Sequence, residues 1–366
     1  MRLLALIPGL ALILIILWDA FETIILPRRV TRRLRLTTLF YGSIWALLSG
    51  LVRAMRNSKR RDKYLGMFGP LSLLMLLAMW ALGLILGYAI VLWSIDARLN
   101  ISPVNTSFAT YLYLSGVTFF TLGYGDVAPL LPLGRATAVI EAATGFGLLA
   151  IVIGYLPVLY QSFSRREVNI SLLDARAGSP SSAAEMVRRH SESGHMHDLT
   201  RVLYEWEHWA AELLESHLSY PVLCYFRSQH DNQSWLAAMT TILDTCALVM
   251  VGIEGTPTWQ AKLTFAMARH AVVDIAQIFR TAPAGPQSSL TRLHAGDLDR
   301  IREILNHNGT RLREGEEAEQ RLTEFRLMYE PYVNALSELL LMPLPPWILR
   351  TDAIDNWKTS AWGRIQ

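Results

Sequence analysis

The first half of the chain is divided into long apolar runs separated by short polar intervals. These runs cover residues 3–26, 36–55, 68–95 and 133–163. An α-helix rises about 1.5 Å per residue, so about 20 apolar residues cross the hydrocarbon core of a membrane. The first, third and fourth runs exceed this length and the second just reaches it, and the pattern therefore predicts a membrane protein.

The second half has the composition of a soluble protein. Helix-like apolar periods recur there, and the alternating pattern of strands is scarce. The predicted helices cover residues 183–192, 199–218, 233–253, 259–279, 298–306 and 313–341. We expect an all-α bundle in residues 183–366. A linker at residues 165–182 joins it to the membrane region, because its Gly-Ser-Pro-Ser-Ser sequence is typical of a turn.

Basic residues concentrate between Arg28 and Lys63, and this band determines the predicted topology. If residues 36–55 crossed the membrane, the basic clusters on either side of them would lie on opposite faces, against the positive-inside rule. If they lie along the surface, both clusters stay in the cytoplasm. We favour the second arrangement. Residues 1–27 then form an N-terminal transmembrane helix with an external N-terminus, and residues 28–65 form a basic, interfacial amphipathic helix.

Two acidic residues, Asp19 and Glu22, stand near the end of the first apolar run. Charges inside a membrane segment are costly and are often functional. A cluster of arginines follows closely in the sequence, namely Arg28, Arg29, Arg32 and Arg33. We therefore expect ion pairs at the membrane interface rather than an ion site within the membrane.

The interval between the last two apolar runs contains the sequence Thr-Leu-Gly-Tyr-Gly-Asp at residues 121–126. A dehydrated cation in a pore needs a cage of oxygen atoms, which consecutive backbone carbonyls supply when they face one axis. Gly123 and Gly125 favour such a strand because glycine adopts a positive φ at no steric cost. Thr121 adds a hydroxyl oxygen. A tight turn is the alternative interpretation of the two glycines alone.

With its surroundings, this motif resembles the pore module of tetrameric potassium channels. The resemblance covers about residues 68–164 and includes the helix-like stretch before the motif, Asp126, the Gly134-Arg135 pair and Gly145. It implies a pore module at residues 66–164, with an outer helix at 68–95, a pore helix at 107–119, a selectivity filter at 121–126 and an inner helix at 133–163. The implied fold is an all-α membrane protein in which a tetrameric potassium-channel pore module precedes a cytoplasmic α-helical domain.

The resemblance also assigns roles to individual residues. The ion-binding residues are Thr121, Leu122, Gly123, Tyr124 and Gly125, and the filter-supporting residues are Asp126, Val117, Tyr113 and Thr118. Two positions depart from the family pattern. Leu122 replaces the commoner valine, although the ion would meet its carbonyl rather than its side chain. Val117 stands where some potassium channels have a glutamate behind the filter, so Asp126 lacks that partner.

The inner helix contains four candidates for bending. Gly145 corresponds to the family's hinge position, and Gly147, Gly154 and Pro157 add further weak points. Glycine costs about 1 kcal/mol in a helix, and proline removes a backbone hydrogen bond. For Gly145, close packing against another helix is an equal alternative. Glu141 is the one acidic residue of this helix, and we expect it to face the pore helix as a hydrogen-bonded structural acid.

The tail shows no motif that supports catalysis. His190, His195 and His197 include a His-x-His pair, but their spacing matches no closed metal site, so solvated loop histidines are the favoured interpretation. No Gly-x-Gly-x-x-Gly follows a strand, which argues against the nucleotide-type ligand domain of many prokaryotic potassium channels. Cys224 and Cys246 are expected to be buried apolar residues. We predict that the protein is not an enzyme.

The composition agrees with a membrane protein that carries a soluble tail, since 52% of the residues are hydrophobic and 18% are charged. We predict a homotetrameric, potassium-selective channel that conducts K⁺ passively, is multi-pass in the inner cell membrane, and is gated or assembled by its cytoplasmic tail. Membrane lipid and further copies of the chain are the expected partners, and nucleic acid is not. K⁺ in the filter is the only expected bound group. The alternatives are a weakly selective cation channel and a non-conducting, membrane-anchored signalling or scaffold protein.

Overall fold

The computed structural model describes residues 2–26, 35–55, 57–101, 106–191, 196–230, 232–253, 256–285 and 290–349. Within these ranges the chain is helical, and its β-structure is limited to two isolated bridges. The chain divides into two compact units, Met1–Tyr160 and Gln161–Gln366. Five of the described helices are long and apolar enough to cross a membrane. The protein is thus an all-α membrane protein, as predicted.

The first unit contains the helices of the predicted membrane region. They are α1 (Leu6–Ala20), α2 (Leu36–Arg53), α3 (Ser58–Ser94), α4 (Phe108–Phe119) and the beginning of α5 (Pro132–Ala177), with a 3-10 turn at Arg2–Ala5 before α1 and a π-helical turn at Phe21–Ile25 after it. α3 begins earlier than predicted because the Asn57 side chain caps it by accepting the Arg60 N–H at 3.2 Å. The single helix expected over residues 28–65 is therefore wrong, since this range contains α2 and the first turns of α3.

α1 packs antiparallel against the last turns of α3. Arg2 forms an ion pair of 2.9 Å with Asp96, just beyond α3, and lies 5.5 Å from the centre of the Trp93 ring. Further along, Ile16 fits so closely against Gly83 that a Cβ on the glycine would lie 2.4 Å from its Cδ1 atom. Small residues permit such an approach between helices. The start of the chain therefore lies at the same end of this unit as the loop that follows α3.

Asp19 joins three helices of the first unit. Its carboxylate accepts hydrogen bonds from the Thr37 N–H at 3.2 Å, the Thr37 hydroxyl at 2.6 Å and the Trp80 indole at 3.0 Å. It therefore caps the start of α2 while it holds α3. Glu22 instead accepts from Trp18 and pairs with Arg35 at 3.5 Å. The expected pairing with the arginines at 28–33 falls outside the described residues.

α2 lies along the part of α3 that is farther from Ser94. Its start shares Asp19 with Trp80 of α3, whereas Trp45, about two turns later, packs on Phe68 with ring centres 4.9 Å apart. As α2 proceeds, its contacts on α3 therefore move towards the start of α3. α2 runs antiparallel to α3 and does not return towards Ser94.

The second unit is a helical bundle built around one apolar helix. Its described elements are the end of α5, α6 (Ala183–Ser191), α7 (Met196–Ser219), a 3-10 turn at Pro221–Tyr225, α8 (Trp235–Gly252), α9 (Thr258–Ile278), α10 (Asp297–His307), α11 (Glu316–Leu327) and α12 (Glu330–Leu340). By composition α8 is apolar enough to cross a membrane, but 94% of it is buried. It packs against α6, α7, α9, α11 and α12. α8 is therefore the core of the bundle.

The predicted linker at residues 165–182 is wrong, because α5 continues as a helix to Ala177. Ile170 and Leu173 on this extension are buried in the second unit, and apolar residues at this spacing favour a helix that packs on one face. The chain then turns at Gly178, where φ is 82°, and the Ser182 N–H bonds to the Ala177 carbonyl at 2.9 Å. The Gly-Ser-Pro sequence therefore forms a turn that is mostly buried.

The single helix expected over residues 313–341 is also wrong, because it is divided into α11 and α12. Pro331 lies in the first turn of α12, where its missing N–H costs nothing. The same proline inside a continuous helix would remove a backbone hydrogen bond. The apolar period alone gave no sign of this break.

Buried charges tie α8 to the C-terminal part of the second unit. The Arg292 guanidinium donates to both carboxylate oxygens of Asp244, at 3.1 and 2.5 Å, and to the Pro345 carbonyl at 2.8 Å. Glu330 lies 3.3 Å from the same guanidinium, and the Tyr329 hydroxyl donates to Asp244. Burial, followed by the negative charge of Asp244, raises the pKa of Tyr329 well above its usual range. Each charge of this network is therefore balanced by an opposite charge within it.

We expect Asp244→Asn to destabilise the protein by about 3 kcal/mol or more, because it removes the main countercharge of a buried guanidinium. Thermal and denaturant unfolding of the full chain in detergent measure the effect. Asp299→Asn is the matched control, because Asp299 also pairs with an arginine but its side chain is 77% exposed. It should change stability little. Equal effects of the two substitutions would contradict the role given to the buried network.

Candidate functional site

The segment at residues 121–126 follows α4 directly. The N-cap of α4 is Ser107, whose N–H bonds to the Thr110 side chain at 3.2 Å, and the helix ends at Phe119. In the segment, φ is 54° at Thr121, 56° at Gly123 and 77° at Gly125. Left-handed backbone at every second residue lets successive carbonyls be presented to one side, which is the arrangement that a cation-binding strand needs.

One carbonyl at the end of α4 fixes the start of this segment. The Val117 carbonyl accepts the Leu122 N–H at 2.8 Å and the Gly123 N–H at 3.4 Å, and the Thr118 carbonyl accepts the Thr121 N–H at 3.0 Å. Thr121 is β-branched, so its positive φ is strained and persists only where such bonds impose it. The Val117 side chain is 7% exposed. Val117 and Thr118 thus support the segment through their backbone oxygens.

Asp126 has a partner on α4 other than the missing glutamate. The Tyr113 hydroxyl donates to its carboxylate at 2.8 Å. Tyr113 lies one turn before Val117, the position at which some potassium channels have the glutamate. Asp126 is therefore bonded to α4 from the turn before that position. The far end of the segment is therefore tied to α4 as its near end is.

Sequence reasoning missed Asn100, which anchors the segment to the loop after α3. Its side-chain oxygen accepts the Ala128 N–H at 2.8 Å, its own N–H donates to the Ala128 carbonyl at 3.0 Å, and its amide nitrogen lies 3.4 Å from the Gly125 carbonyl. Leu99 forms an isolated bridge with Pro129 beside it. A single asparagine in a polar loop carries no sequence signal of this role.

Gly145 of α5 packs against the end of α4. A Cβ at this position would lie 2.1 Å from the Phe119 carbonyl oxygen, so only glycine fits without movement of the backbone. This contact favours close packing over the hinge alternative. The other candidates differ, since a Cβ on Gly147 or Gly154 would meet nothing within 4 Å, and α5 continues through Pro157.

Glu141, one turn before Gly145, is fully buried against α4. Its Oε1 atom is hydrogen-bonded to the Ser115 hydroxyl, which also lies 2.7 Å from the Ile85 carbonyl of α3. Glu141 thus faces α4, the side on which the sequence predicted it to lie. α3, α4 and α5 meet at this hydroxyl.

The histidine candidates are not brought together as a metal site in the described part of the chain. His190 bonds through Nδ1 to the Met186 carbonyl at 2.7 Å, His197 is exposed, and His195 lies outside the described residues. No cluster of three histidine, cysteine or acidic side chains suited to a metal occurs among the described residues. Cys224 and Cys246 are buried and free, and burial raises the pKa of both thiols.

A buried cation in the second unit was also missed. Arg166 of α5 donates to the carbonyls of Leu223 at 2.8 Å and Phe226 at 2.9 Å and pairs with Glu167. Burial, followed by the nearby charge of Arg166, lowers the pKa of His217 to about 3. His217 is therefore neutral at physiological pH, and the last turns of α5 are fixed to the bundle by a permanent charge.

Comparison with known proteins agrees with this arrangement. A family model described as an ion channel matches residues 74–161, which include most of α3, all of α4, the segment at 121–126 and the first part of α5. The chain belongs to this ion channel family.

Three curated relatives are similar to parts of the chain. The uncharacterized membrane protein YdjJ of Bacillus subtilis (strain 168) is 24% identical over 194 residues, or 52% of this chain and 56% of that protein. Protein LctB of Bacillus caldotenax is 33% identical over 126 residues, covering 31% of this chain and 90% of that protein, and Protein LctB of Geobacillus stearothermophilus is 29% identical over 127 residues, covering 32% and 86%. No solved structure matches the chain significantly.

We expect Gly145→Ala to disturb the end of α4, since its methyl group would displace the Phe119 carbonyl. Cation flux from proteoliposomes should fall, and the ratio of potassium to sodium flux should change. Gly147→Ala is the matched control, because a Cβ there meets nothing within 4 Å and alanine favours the helix by about 1 kcal/mol. If Gly145→Ala lowered flux with an unchanged ion ratio and stability, the hinge alternative would be correct.

Proposed function

We propose that the chain is one subunit of a homotetrameric, potassium-selective channel through which K⁺ moves passively. The observation that carries the proposal is the strand at residues 121–125, with left-handed backbone at Thr121, Gly123 and Gly125 immediately after α4. Its carbonyls, with the Thr121 hydroxyl, would replace the hydration shell of K⁺. The proposed ion-binding residues are Thr121, Leu122, Gly123, Tyr124 and Gly125, and no other cofactor is proposed.

The exposure of the strand in a single chain supports the tetramer. Leu122 is 53% exposed and Tyr124 is 69% exposed, so two large side chains of the same short segment remain for further copies of the chain to cover. One strand also supplies only part of the oxygen cage that a dehydrated cation needs. Closed symmetry around the ion path, with one strand per copy, would complete the cage and cover these side chains.

We also propose a topology in which three helices of each subunit cross the inner cell membrane. Arg2 contacts Asp96 at the end of the unit where the segment at 121–126 follows its helix, so this end would be external. α2 stays beside the opposite part of α3 and does not return towards Ser94, so it would not form a fourth span that reaches the external end. The basic residues of the 28–65 region would then be cytoplasmic, with the second unit on the same side.

The second unit is proposed to gate or assemble the pore. α5, which begins just after the proposed filter, ends inside this unit, where Arg166 binds two backbone carbonyls. A ligand or partner protein that changes the packing around Arg166 would act on the same helix. Contact with membrane lipid is expected along the apolar helices, and no nucleic-acid partner is proposed.

A weakly selective cation channel is the second candidate. Leu122 is the observation that favours it, because it stands where potassium channels more often have valine. Reversal potentials in sodium against potassium separate the two candidates. A non-conducting, membrane-anchored scaffold is a further alternative, and it predicts no flux of either ion.

We expect Gly123→Asp to abolish potassium flux from proteoliposomes and its block by barium, because a charged side chain at a positive φ of 56° would disrupt the strand. Gly309→Asp is the matched control, since Gly309 also has a positive φ, 75°, and open space around it. The control should conduct normally. Flux that is unchanged by Gly123→Asp would refute the filter assignment.

The topology is tested by cysteine labelling, because both natural cysteines are fully buried. We expect Leu3→Cys to react with a membrane-impermeant maleimide in intact cells. Glu317→Cys, at a side chain that is 80% exposed in the second unit, should react only after the cells are permeabilised. Labelling of Leu3→Cys only after permeabilisation would reverse the proposed orientation of α1.

A further inference from the structure

Three helices of the first unit meet at the Ser115 hydroxyl, which is fully buried. Its oxygen lies 2.7 Å from the Ile85 carbonyl of α3 and is hydrogen-bonded to Oε1 of Glu141 on α5. Glu141 is also fully buried, and its Oε2 atom has no hydrogen-bond partner. Among the described residues, the carboxyl group therefore has one hydrogen-bond partner, Ser115.

The two hydrogen bonds of the Ser115 hydroxyl need two hydrogens. A serine hydroxyl donates one hydrogen, and a backbone carbonyl can only accept. Both contacts are hydrogen bonds at the same time only if Ser115 gives its hydrogen to the Ile85 carbonyl. The bond between Ser115 and Glu141 then needs a hydrogen from Glu141, which supplies one only as the neutral carboxylic acid. Both bonds exist together when Glu141 is protonated, and one of them is lost when it is ionised.

In the described part of the chain, no positive charge lies close enough to stabilise an ionised Glu141. Tyr88 is the titratable group that faces it from α3, and the Tyr88 hydroxyl lies 2.8 Å from the Thr144 hydroxyl. α4 contributes the uncharged Ser115. Among the described residues, no lysine, arginine or histidine lies within ion-pairing distance of Glu141. A buried carboxylate without a countercharge or donors is costly.

The junction lies directly behind the proposed filter. Ser115 lies two residues before Val117, and the Val117 carbonyl accepts hydrogen bonds from the amides of Leu122 and Gly123. Gly145, one turn beyond Glu141, contacts the last residue of α4. A movement of α4 away from α5 would therefore shift the carbonyl on which the start of the filter strand depends.

We propose that Glu141 is a positioning residue of the proposed filter: as a neutral acid it donates to Ser115 and so holds α4 between α3 and α5. Loss of this proton removes the bond, leaves a buried charge and lowers conduction. The inference rests on the proposed channel function. It concerns the hydrogen bond behind the filter and not the ion-binding oxygens.

The experiment is potassium flux from proteoliposomes at equal pH on both sides, over roughly pH 6 to 10. In the wild type, flux should fall reversibly as the pH rises, to the level of Glu141→Ala or below it. Glu141→Gln should conduct at neutral pH without this alkaline fall, because its amide N–H₂ donates to Ser115 and carries no ionisable proton. Glu141→Ala, which has no donor, should conduct less at every pH.

Tyr88→Phe is the control for the other titratable group, and it should keep the alkaline fall. The same fall in Glu141→Gln as in the wild type, or a flat wild-type profile, would overturn the proposal. Infrared spectroscopy gives a readout that needs no flux. A protonated-carboxyl band that titrates away at alkaline pH should be present in the wild type and absent from Glu141→Gln. If the band behaves so in a protein without potassium flux, the proposed function fails and the protonation of Glu141 stands.

Discussion

The amides of Leu122 and Gly123 share one acceptor, the Val117 carbonyl at the end of α4. Backbone that leaves a helix at membrane depth must find its hydrogen bonds within the protein. This requirement explains why so many contacts of the first unit end on α4. Tyr113 donates a hydrogen bond to Asp126, and the missing side chain of Gly145 leaves room for the Phe119 carbonyl. The backbone of residues 121–126 therefore keeps its conformation only while α4 stays in position.

Buried polar groups are stabilised in different ways in the two units. In the second unit, Arg292 and Asp244 neutralise each other, so both charges are tolerated next to the apolar helix α8. Breaking such a pair is far more costly than never having it. The same helix shows that hydropathy alone does not identify a span, since α8 is as apolar as a membrane segment and is enclosed by its neighbours. Burial within the fold separates a core helix from a membrane helix.

The sequence predicted the elements whose signals are local. The bounds of α4 follow from a capping serine and an apolar run, and the left-handed angles at Gly123 and Gly125 follow from residue type. The prediction of a linker at 165–182 was wrong because the turn motif was extended backwards over the end of α5. The helix continues there because Ile170 and Leu173 pack against residues that are distant in the sequence. The roles of Asn100 and Gly145 depend on loops and helices that come together only in the fold.

Asp19 and Glu141 show why the count of donors matters more than burial. Both carboxyl groups are buried among membrane helices, at 4% and 0% exposure. Asp19 receives hydrogen bonds from the Thr37 amide, the Thr37 hydroxyl and the Trp80 indole, which together satisfy a negative charge. Glu141 meets one hydroxyl, which also lies 2.7 Å from the Ile85 carbonyl. The two carboxyl groups therefore differ in role: Asp19 joins its helices as an acceptor of hydrogen bonds, whereas the role proposed for Glu141 is that of a donor.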